Sequence, residues 1–249
     1  MVDTPAPYLS LVIPCYNEQE SVPALIERVE AALAPLGRPF EVIIVDDGST
    51  DDTPGLLEAG MRKHAWLRVI RMARNGGQSA AFEAGFAAAR GEIIATIDAD
   101  LQNDPQEIPR LIPLLDQHNA DMITGWRKDR QDTAFRRWQS RCANRIRNWI
   151  TQETVQDSAS SLKVYRAAAI RGLKLFRGAH RYFPTLVKMR GYTVHETPIK
   201  HSRRYAGTAK YGFRNRAFVG IADLFGVRWM KKRYLKYDAR EIERNGLKH

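Results

Sequence analysis

Two acidic residues, Asp98 and Asp100, stand two positions apart directly after an apolar stretch of the sequence. Carboxylates with this spacing on a strand-ending turn can converge on one hard divalent cation, because such cations prefer oxygen ligands. The side-chain amide of Gln102 supplies a further oxygen donor. A cation held there can bridge a substrate diphosphate and neutralise charge on a leaving group. Since an Asp-x-Asp pair can also simply cap a turn, its meaning depends on the elements that carry it.

A second acidic pair, Asp46 and Asp47, closes another apolar stretch. An acid at the end of such a strand can hydrogen-bond ribose or base N–H groups. The pair can equally form a turn and a helix N-cap, since Ser49 and Thr50 precede another segment. The sequence contains neither the glycine fingerprint of a dinucleotide fold nor the P-loop of an NTPase. These two classes of nucleotide-binding protein are therefore disfavoured.

Five short apolar segments predict the strands that carry these residues. They span 9–13, 41–45, 67–71, 92–97 and 121–124, and helical patterns lie at 22–33 and 78–90. This alternation predicts an α/β fold, with a mostly parallel sheet and helices on both of its faces. Ligands bind beyond the carboxyl ends of the strands in such sheets. We therefore expect the polar segments 14–18, 46–47, 74–77 and 98–100 to meet at one edge.

The pattern loosens after Gly125. We interpret 136–150 as a basic helix, 161–165 as a short strand or turn, 167–176 as a helix and 192–199 as a strand. A loop over 200–212 leads to a last helical segment from about 213 to 237. The chain is accordingly expected to divide into a main domain, 1–212, and a basic amphipathic C-terminal extension, 213–249.

The net charge of +11 is unevenly distributed along the 249 residues. Up to residue 126 there are 9 Lys and Arg against 19 Asp and Glu, whereas 30 basic and 9 acidic residues follow. This asymmetry favours cation handling in the first half and contact with anions or an anionic surface in the second, although a solvated basic surface has the same composition. The two cysteines, Cys15 and Cys142, imply no disulfide framework or zinc site.

The last helical segment combines apolar and basic residues in a way that is typical of an interfacial helix. Its apolar residues recur at helical spacing: Phe218, Ile221, Leu224, Phe225 and Trp229. Packing on the main domain or on the membrane helices of a partner protein is the alternative, and Asp223 favours it. No signal peptide opens the sequence, and no run of about 18 apolar residues could span a bilayer. We expect a cytoplasmic protein with peripheral contact at the inner face of the membrane.

Taken together, these residues resemble the family 2 glycosyltransferases of the GT-A fold. The matching segments are 13–18, 45–50, 75–77 and 98–102. Within that family the sequence is most similar to the dolichyl-phosphate mannosyltransferase-like, polyprenyl-phosphate branch. That likeness rests on Gln102, on Asp104 with Pro105, and on a late motif that contains Arg204, Gly207, Lys210 and Tyr211. The resemblance covers residues 8–212.

The resemblance implies a role for each matching residue. Five residues would hold the nucleoside: Pro14, Tyr16, Glu18, Val45 and Asp47. Mg²⁺ or Mn²⁺ and the diphosphate would be held by Asp98, Ala99, Asp100 and Gln102, of which Asp98, Asp100 and Gln102 would ligate the metal. Four basic residues would gather the donor and acceptor phosphates: Arg127, Arg137, Arg204 and Lys210. We take Asp98, Asp100, Arg204 and Lys210 as the catalytic set.

The implied reaction is an inverting transfer of a sugar from a GDP- or UDP-linked donor to a polyprenyl phosphate. Transfer to a saccharide hydroxyl of the cell envelope is the alternative, with Asp98 as a base. Ala209 stands where a serine is common, and 157–161 replaces a more glycine-rich segment, which leaves the sugar and the acceptor geometry open. A non-enzymatic nucleic-acid binder is a remote third interpretation. The basic half shows no recognition motif, so we expect no nucleic-acid partner.

Overall fold

One seven-stranded sheet organises the residues that the structure, a computed structural model, describes: 6–127, 155, 157, 160–200 and 214–235, without the side chains of 214–221. The strands are β1 (Leu9–Cys15), β2 (Phe40–Asp46), β3 (Leu67–Arg71), β4 (Ile93–Thr96), β5 (Met122–Arg127), β6 (Lys163–Arg166) and β7 (Val194–Ile199). Their order in the sheet is β3-β2-β1-β4-β6-β5-β7. Neighbouring strands are parallel except β6, which is antiparallel to β4 and β5. The predicted mostly parallel α/β sheet is confirmed.

Helices connect most of the strands. They are α1 (Val22–Leu33), α2 (Thr53–Lys63), α3 (Gln78–Ala88), α4 (Glu107–Leu111), α5 (Leu114–Gln117), α6 (Ala167–Ile170), α7 (Phe183–Met189) and α8 (Arg214–Arg233). The predicted helix over 167–176 is wrong beyond α6, because Arg171 has an extended backbone and Gly172 has a φ of 74°. The predicted basic helix over 136–150 lies outside the described residues.

Two hydrophobic cores cover the two faces of the sheet. Alternate residues of β1 point to opposite faces. Leu11 packs with α1 on one face, whereas Val12 packs with Phe82 and Phe86 of α3 on the other. Because both faces are covered, the inner strands read as continuous apolar runs in the sequence.

A glycine in α3 sets how closely this helix approaches the sheet. A Cβ atom at Gly85 would lie 2.3 Å from Cγ1 of Val12, so any other residue would push α3 away from β1. The close packing helps to hold the first residue of α3, Gln78, beside the loop that follows β4. One end of a core helix thereby becomes part of the carboxyl edge of the sheet.

The C-terminal helix α8 has two different faces in its described part. Leu224 and Val227 are buried in the same core cluster as α3, whereas Phe225 is 60% exposed and Trp229 is 63% exposed. Leu224 therefore packs on the main domain, which agrees with the alternative expectation for this helix, whereas Phe225 and Trp229 are exposed. The division into 1–212 and 213–249 stays a prediction. None of the described helices has the length and apolar character that crossing a membrane requires.

Candidate active site

The loops after β1 and β2 are fastened to each other at the carboxyl edge of the sheet. The backbone N–H of Asn17 donates to Oγ of Ser49 over 2.8 Å, and the N–H of Thr50 donates to Oδ1 of Asn17 over 2.8 Å. Gly48 has a φ of 70°, and a Cβ there would lie 2.7 Å from the carbonyl carbon of Arg74. Glycine is required at this position because the loop after β3 lies directly against it.

Asp47 joins the loop after β2 to the start of α3. Its two carboxylate oxygens accept hydrogen bonds from the backbone N–H groups of Gly76, at 2.7 Å, and Gly77, at 2.9 Å. The carboxylate thus holds the glycine segment that precedes α3. Direct contact between Asp47 and a nucleoside stays a prediction.

The other predicted nucleoside residues lie at the same edge with different exposure. Tyr16 and Glu18 are partly exposed, whereas Pro14 is buried and Val45 is fully buried in the core. The side chain of Val45 cannot reach a ligand, so only its backbone could contact a nucleoside. The predicted polar edge exists, but only Tyr16 and Glu18 of these four residues expose part of their side chains there.

The acidic pair follows β4 on a tight turn. Between Asp100 and Gln102, Leu101 has a φ of 58°, which costs a residue other than glycine about 1–2 kcal/mol. The side chain of Leu101 is buried in the core, which holds this conformation in place. Oδ1 of Asp100 accepts a hydrogen bond from the backbone N–H of Gln102 over 3.1 Å. Local strain of this kind collects at functional sites.

Asp98 lies in a partly desolvated position. Burial of its carboxyl group, together with the nearby charge of Asp100, raises the pKa of Asp98 to about 6. Hydrogen bonding to Ser161 and the charges of Lys163 and Arg127 oppose this rise. Two adjacent carboxylates that repel each other in a low-dielectric site are stabilised by a bound cation.

Two basic side chains, Arg127 and Lys163, lie near Asp98. Arg127, at the end of β5, forms a two-pronged ion pair with Asp157, with nitrogen–oxygen distances of 2.7 and 3.0 Å. Lys163, at the start of β6, is 1% exposed. Burial lowers the pKa of Lys163 to about 8, against the charges of Asp157 and Asp98, which raise it. Oε1 of Glu196 also lies 3.4 Å from the backbone nitrogen of Asp157.

The charge of this cluster suits one divalent cation. Four carboxylates surround two basic side chains among the described residues: Asp98, Asp100, Asp157 and Glu196 around Lys163 and Arg127. Within the described ranges, no three His, Cys, Asp or Glu side chains form a closed metal site. A cation such as Mg²⁺ is commonly bound by one or two carboxylates together with substrate phosphates.

The sequence matches the family described as Glycosyl transferase family 2 over residues 10–173. It is 42% identical over 238 residues to a dodecaprenyl-phosphate galacturonate synthase from Rhizobium johnstonii, which covers 93% of this chain and 68% of that protein. The chain belongs to glycosyl transferase family 2. An undecaprenyl-phosphate 4-deoxy-4-formamido-L-arabinose transferase from Klebsiella pneumoniae is 38% identical over 210 residues, covering 84% of this chain. The chain spans 64% of the length of that second relative, which is less than two thirds.

Solved glycosyltransferase structures share the fold of this family 2 chain. A mannosyltransferase from Pyrobaculum calidifontis, in complex with GDP-Man and Mn²⁺, has a TM-score of 0.64 and 17% identity, covering 95% of this chain and 67% of that one. Glucosyl-3-phosphoglycerate synthase from Mycobacterium tuberculosis, with Mn²⁺, UDP and phosphoglyceric acid, has a TM-score of 0.67 and 16% identity, covering 91% and 78%. The predicted GT-A fold and the resemblance to the polyprenyl-phosphate branch are confirmed.

The sequence predicted which edge of the sheet gathers the acidic and basic residues, but it did not predict all of their neighbours. Asp98, Ala99, Asp100, Gln102 and Arg127 lie at the predicted edge, whereas Arg137, Arg204 and Lys210 lie outside the described residues. The contact of Gln78 with Asp98 was not predicted, and neither was the influence of Asp157, Ser161 and Lys163 on the charges of this region. A signal existed for Lys163, which is the single charge in an otherwise apolar segment, 162–165.

Proposed function

We propose that this family 2 glycosyltransferase moves a sugar from a nucleotide-sugar to a polyprenyl phosphate, with inversion at the anomeric carbon. The observation that carries the proposal is the Asp98–Asp100 pair, which follows β4 directly at the carboxyl edge of the sheet. Two relatives that are 42% and 38% identical are named for sugar transfer to dodecaprenyl or undecaprenyl phosphate. Both names support a lipid phosphate acceptor.

The proposed donor site uses a divalent cation, either Mg²⁺ or Mn²⁺. Asp98, Asp100 and Gln102 have the oxygen donors that such a cation prefers, and burial together with the nearby charge of Asp100 raises the pKa of Asp98. When bound, the cation neutralises charge on the nucleoside diphosphate that leaves. Two solved structures with the same fold contain Mn²⁺, together with GDP-Man in one and UDP in the other, which supports this assignment.

The reaction needs positioning more than proton transfer. A phosphate monoester is already ionised near neutral pH, so its oxygen can attack the anomeric carbon without a strong base. A new bond forms between that oxygen and the anomeric carbon while the bond to the diphosphate oxygen breaks, and the nucleoside diphosphate leaves with the bonding electrons. We assign Arg127, Arg137, Arg204 and Lys210 to hold the phosphates in line.

Arg127 would have to change partners during this reaction. Its guanidinium is paired with Asp157 over 2.7 and 3.0 Å. A phosphate that binds there must compete with the Asp157 carboxylate for the N–H donors of Arg127. The ion pair therefore keeps Arg127 oriented before a substrate arrives.

Labelled product identifies the acceptor class. The full chain, Mn²⁺, undecaprenyl phosphate vesicles and a soluble cell-envelope saccharide are incubated with sugar-labelled UDP-galacturonate, UDP-glucose or GDP-mannose in turn. We expect label from one donor to partition into organic solvent and to depend on the lipid phosphate. The Asp100→Ala variant provides the matched control for background hydrolysis. Label that instead appears in an aqueous saccharide would support the hydroxyl acceptor and contradict this proposal.

The α8 helix supports a place at the membrane surface. Phe225 and Trp229 are exposed on it, and Lys232 and Arg233 are exposed at its end. Aromatic and basic side chains on one face suit the boundary between acyl chains and anionic headgroups. We propose peripheral contact with the inner face of the membrane, with a membrane-protein partner as the alternative. We assign no nucleic-acid partner.

A further inference from the structure

The chain from 171 to 190, the basic segment, passes along α3 in the direction opposite to that helix. The backbone N–H of Leu175 donates a hydrogen bond to Oε2 of Glu83 over 2.8 Å. Three residues later, the N–H of Gly178 donates to Oγ of Ser79 over 3.1 Å. Because Ser79 lies in the first turn of α3, the basic segment reaches the carboxyl edge of the sheet at Gly178.

Helix α8 lies against the basic segment at this glycine. A Cβ atom at Gly178 would lie 2.9 Å from Oδ2 of Asp223, so the Asp223 side chain lies directly against the glycine backbone. Leu224 and Val227 of α8 also belong to the same core cluster as Phe183 of the basic segment. The two elements are packed together, and their exposed side chains therefore belong to one surface.

The one acidic side chain of this surface is turned inward. Asp223 is the single Asp or Glu in the basic segment and in 222–233, the part of α8 up to Arg233 whose side chains are described. Its Oδ2 is buried beside Gly178. Residues two positions apart on a helix point about 200° apart, so Phe225 faces outward when Asp223 faces inward. The outer side of the two elements thus combines aromatic side chains with positive charge.

Exposed basic side chains lie close to the contact with α8. The basic segment contains six Lys and Arg residues, and 222–233 contains four. Arg177 is exposed and stands next to Gly178, while the side chain of Lys174 is 91% exposed. Nζ of Lys174 lies 3.4 Å from Oε1 of Glu83, but a solvated ion pair contributes little stability. Lys174 can therefore exchange this partner for another anion at little cost.

We propose that Lys174 and Arg177 form a second part of the membrane-contact surface, in which they bind anionic lipid headgroups while Phe225 and Trp229 of α8 enter the acyl boundary. This inference rests on the peripheral membrane contact in the proposed function and extends it from α8 to the main domain. The exposed aromatic side chains beside the positive charge favour a bilayer over a nucleic acid as the partner. Each basic residue near an anionic bilayer strengthens binding about fivefold.

This surface lies beside the predicted metal loop. Ser79, which binds the basic segment, directly follows Gln78, whose side chain donates a hydrogen bond to Asp98. A polyprenyl phosphate stays in the bilayer, with its phosphate among the headgroups. Headgroup contact at Lys174 and Arg177 therefore brings an acceptor phosphate to the edge of the sheet that carries the acidic pair.

Arg62 and Lys63 offer a matched control. Both are exposed in the last turn of α2. Leu57 of α2 belongs to the core cluster on one face of the sheet, whereas Leu224 of α8 belongs to the cluster on the other face. Arg62→Ala/Lys63→Ala thus removes the same two charges from the opposite side of the protein.

The test measures sedimentation of the full chain with phosphatidylcholine vesicles that contain or lack phosphatidylglycerol. Binding of labelled duplex DNA, sugar transfer in neutral detergent micelles and the midpoint of thermal unfolding are measured in parallel. We expect Lys174→Ala/Arg177→Ala to bind the anionic vesicles at least about tenfold more weakly than the wild type, and Lys174→Glu/Arg177→Glu to bind more weakly still. Arg62→Ala/Lys63→Ala should bind nearly as the wild type. Transfer in micelles and the unfolding midpoint should stay unchanged in all three variants.

The other outcomes would overturn the proposal in different ways. Wild-type vesicle binding by Lys174→Ala/Arg177→Ala would overturn this inference and leave the proposed function, with α8 as the anchor, standing. Equal weakening in Arg62→Ala/Lys63→Ala would show that total charge, rather than this surface, controls binding. DNA binding that depends on Lys174 and Arg177, without vesicle binding, would assign the surface to a nucleic acid. A wild-type chain that ignores anionic vesicles but transfers sugar in micelles would overturn lipid contact and this inference together, while the transfer reaction would stand.

Discussion

The amide nitrogen Nε2 of Gln78 lies 2.7 Å from Oδ1 of Asp98 and donates a hydrogen bond to it. The first residue of α3 thereby holds the first carboxylate of the acidic pair. Gln78 is fixed in turn by the glycine segment before it, which Asp47 binds. The predicted nucleoside loop and the predicted metal loop are therefore one connected structure.

Gln78→Glu replaces this donor with a carboxylate of nearly the same shape. Without metal, we expect the variant to lose about 1–2 kcal/mol of unfolding free energy, because the new glutamate adds a third carboxylate beside Asp98 and Asp100. Added Mn²⁺ should recover most of the loss. Thermal unfolding with EDTA and with Mn²⁺ measures both effects, and Gln117→Glu, on the exposed end of α5, is the control. Equal destabilisation with and without metal would contradict the prediction.

Asp100→Ala removes the second carboxylate from the acidic pair. We expect transfer to be abolished and nucleotide affinity to become independent of Mn²⁺, because the remaining donors cannot hold the cation. Calorimetric titration of UDP and GDP at several Mn²⁺ concentrations measures this. Asp116→Ala, which removes an exposed carboxylate, should behave as the wild type. Activity that survives in Asp100→Ala and resists EDTA would end the metal assignment.

Arg204→Ala and Lys210→Ala test the late basic motif, which lies outside the described residues. Their positive charges are assigned to the phosphates, so we expect each substitution to lower kcat by orders of magnitude and to leave nucleoside binding nearly unchanged. Steady-state kinetics and nucleotide titration separate the two quantities. Lys200→Ala removes an exposed lysine nearby and serves as the control. Normal turnover in both variants would show that this motif does not take part in catalysis and only connects two parts of the chain.

Membrane contact is tested by sedimentation with anionic liposomes. The double variant Phe225→Ala/Trp229→Ala should bind at least tenfold more weakly than the wild type, because each aromatic side chain contributes about 1.5–3 kcal/mol when it leaves water. Wild-type binding should also fall in high salt. Met61, on α2, is 43% exposed, so Met61→Ala removes an exposed apolar side chain elsewhere on the surface and should have no effect on liposome binding. Undiminished binding of the double variant would rule out this face as the anchor.

Glu41 makes the stability of the fold depend on pH. Burial alone would raise the pKa of Glu41, but hydrogen bonds from Ser10, from the backbone of Arg90 and from Arg68 outweigh it and hold the pKa below its ordinary 4.5. Because the pKa is lower in the folded protein than in the unfolded one, this contribution is present above pH 4.5 and is lost as the pH falls below it.

A Glu41→Gln substitution should therefore cost about 1–3 kcal/mol of unfolding free energy at pH 7. The difference from the wild type should shrink as the pH is lowered from 5 toward 3. Urea unfolding across that range measures it, with the exposed Glu58→Gln as the control. A cost that does not change with pH would show that the Glu41 charge is not its source.

Local patterns predicted the first half of the fold well, because its strands are parallel neighbours whose apolar runs need no distant partner to be recognised. The segment 67–71 was predicted with both of its ends. The direction of β6 could not be read in the same way, because an antiparallel or parallel choice depends on pairing with β4 across the sheet.

The same limit applies to the site. Asp98 and Asp100 are recognisable because their spacing alone suggests a cation, whereas Ser161 has no chemical signature until β6 is paired with β4. Gln78 was placed in a helix but not in the site, since its contact with Asp98 requires α3 to lie close to β1. Neutral side chains whose role depends on contact with a distant residue are therefore the hardest site residues to predict from a single sequence.

The reversed direction of β6 also has a consequence for how related enzymes can diverge. β5 ends at Arg127 and β6 begins at Lys163, and both points lie at the same edge because β5 and β6 are antiparallel. The Arg127–Asp157 ion pair ties the two ends of this excursion together. An insertion or deletion between them leaves the register of every strand unchanged. The length of the connection between these two strands can therefore differ among related enzymes without a change in how β5 pairs with β6.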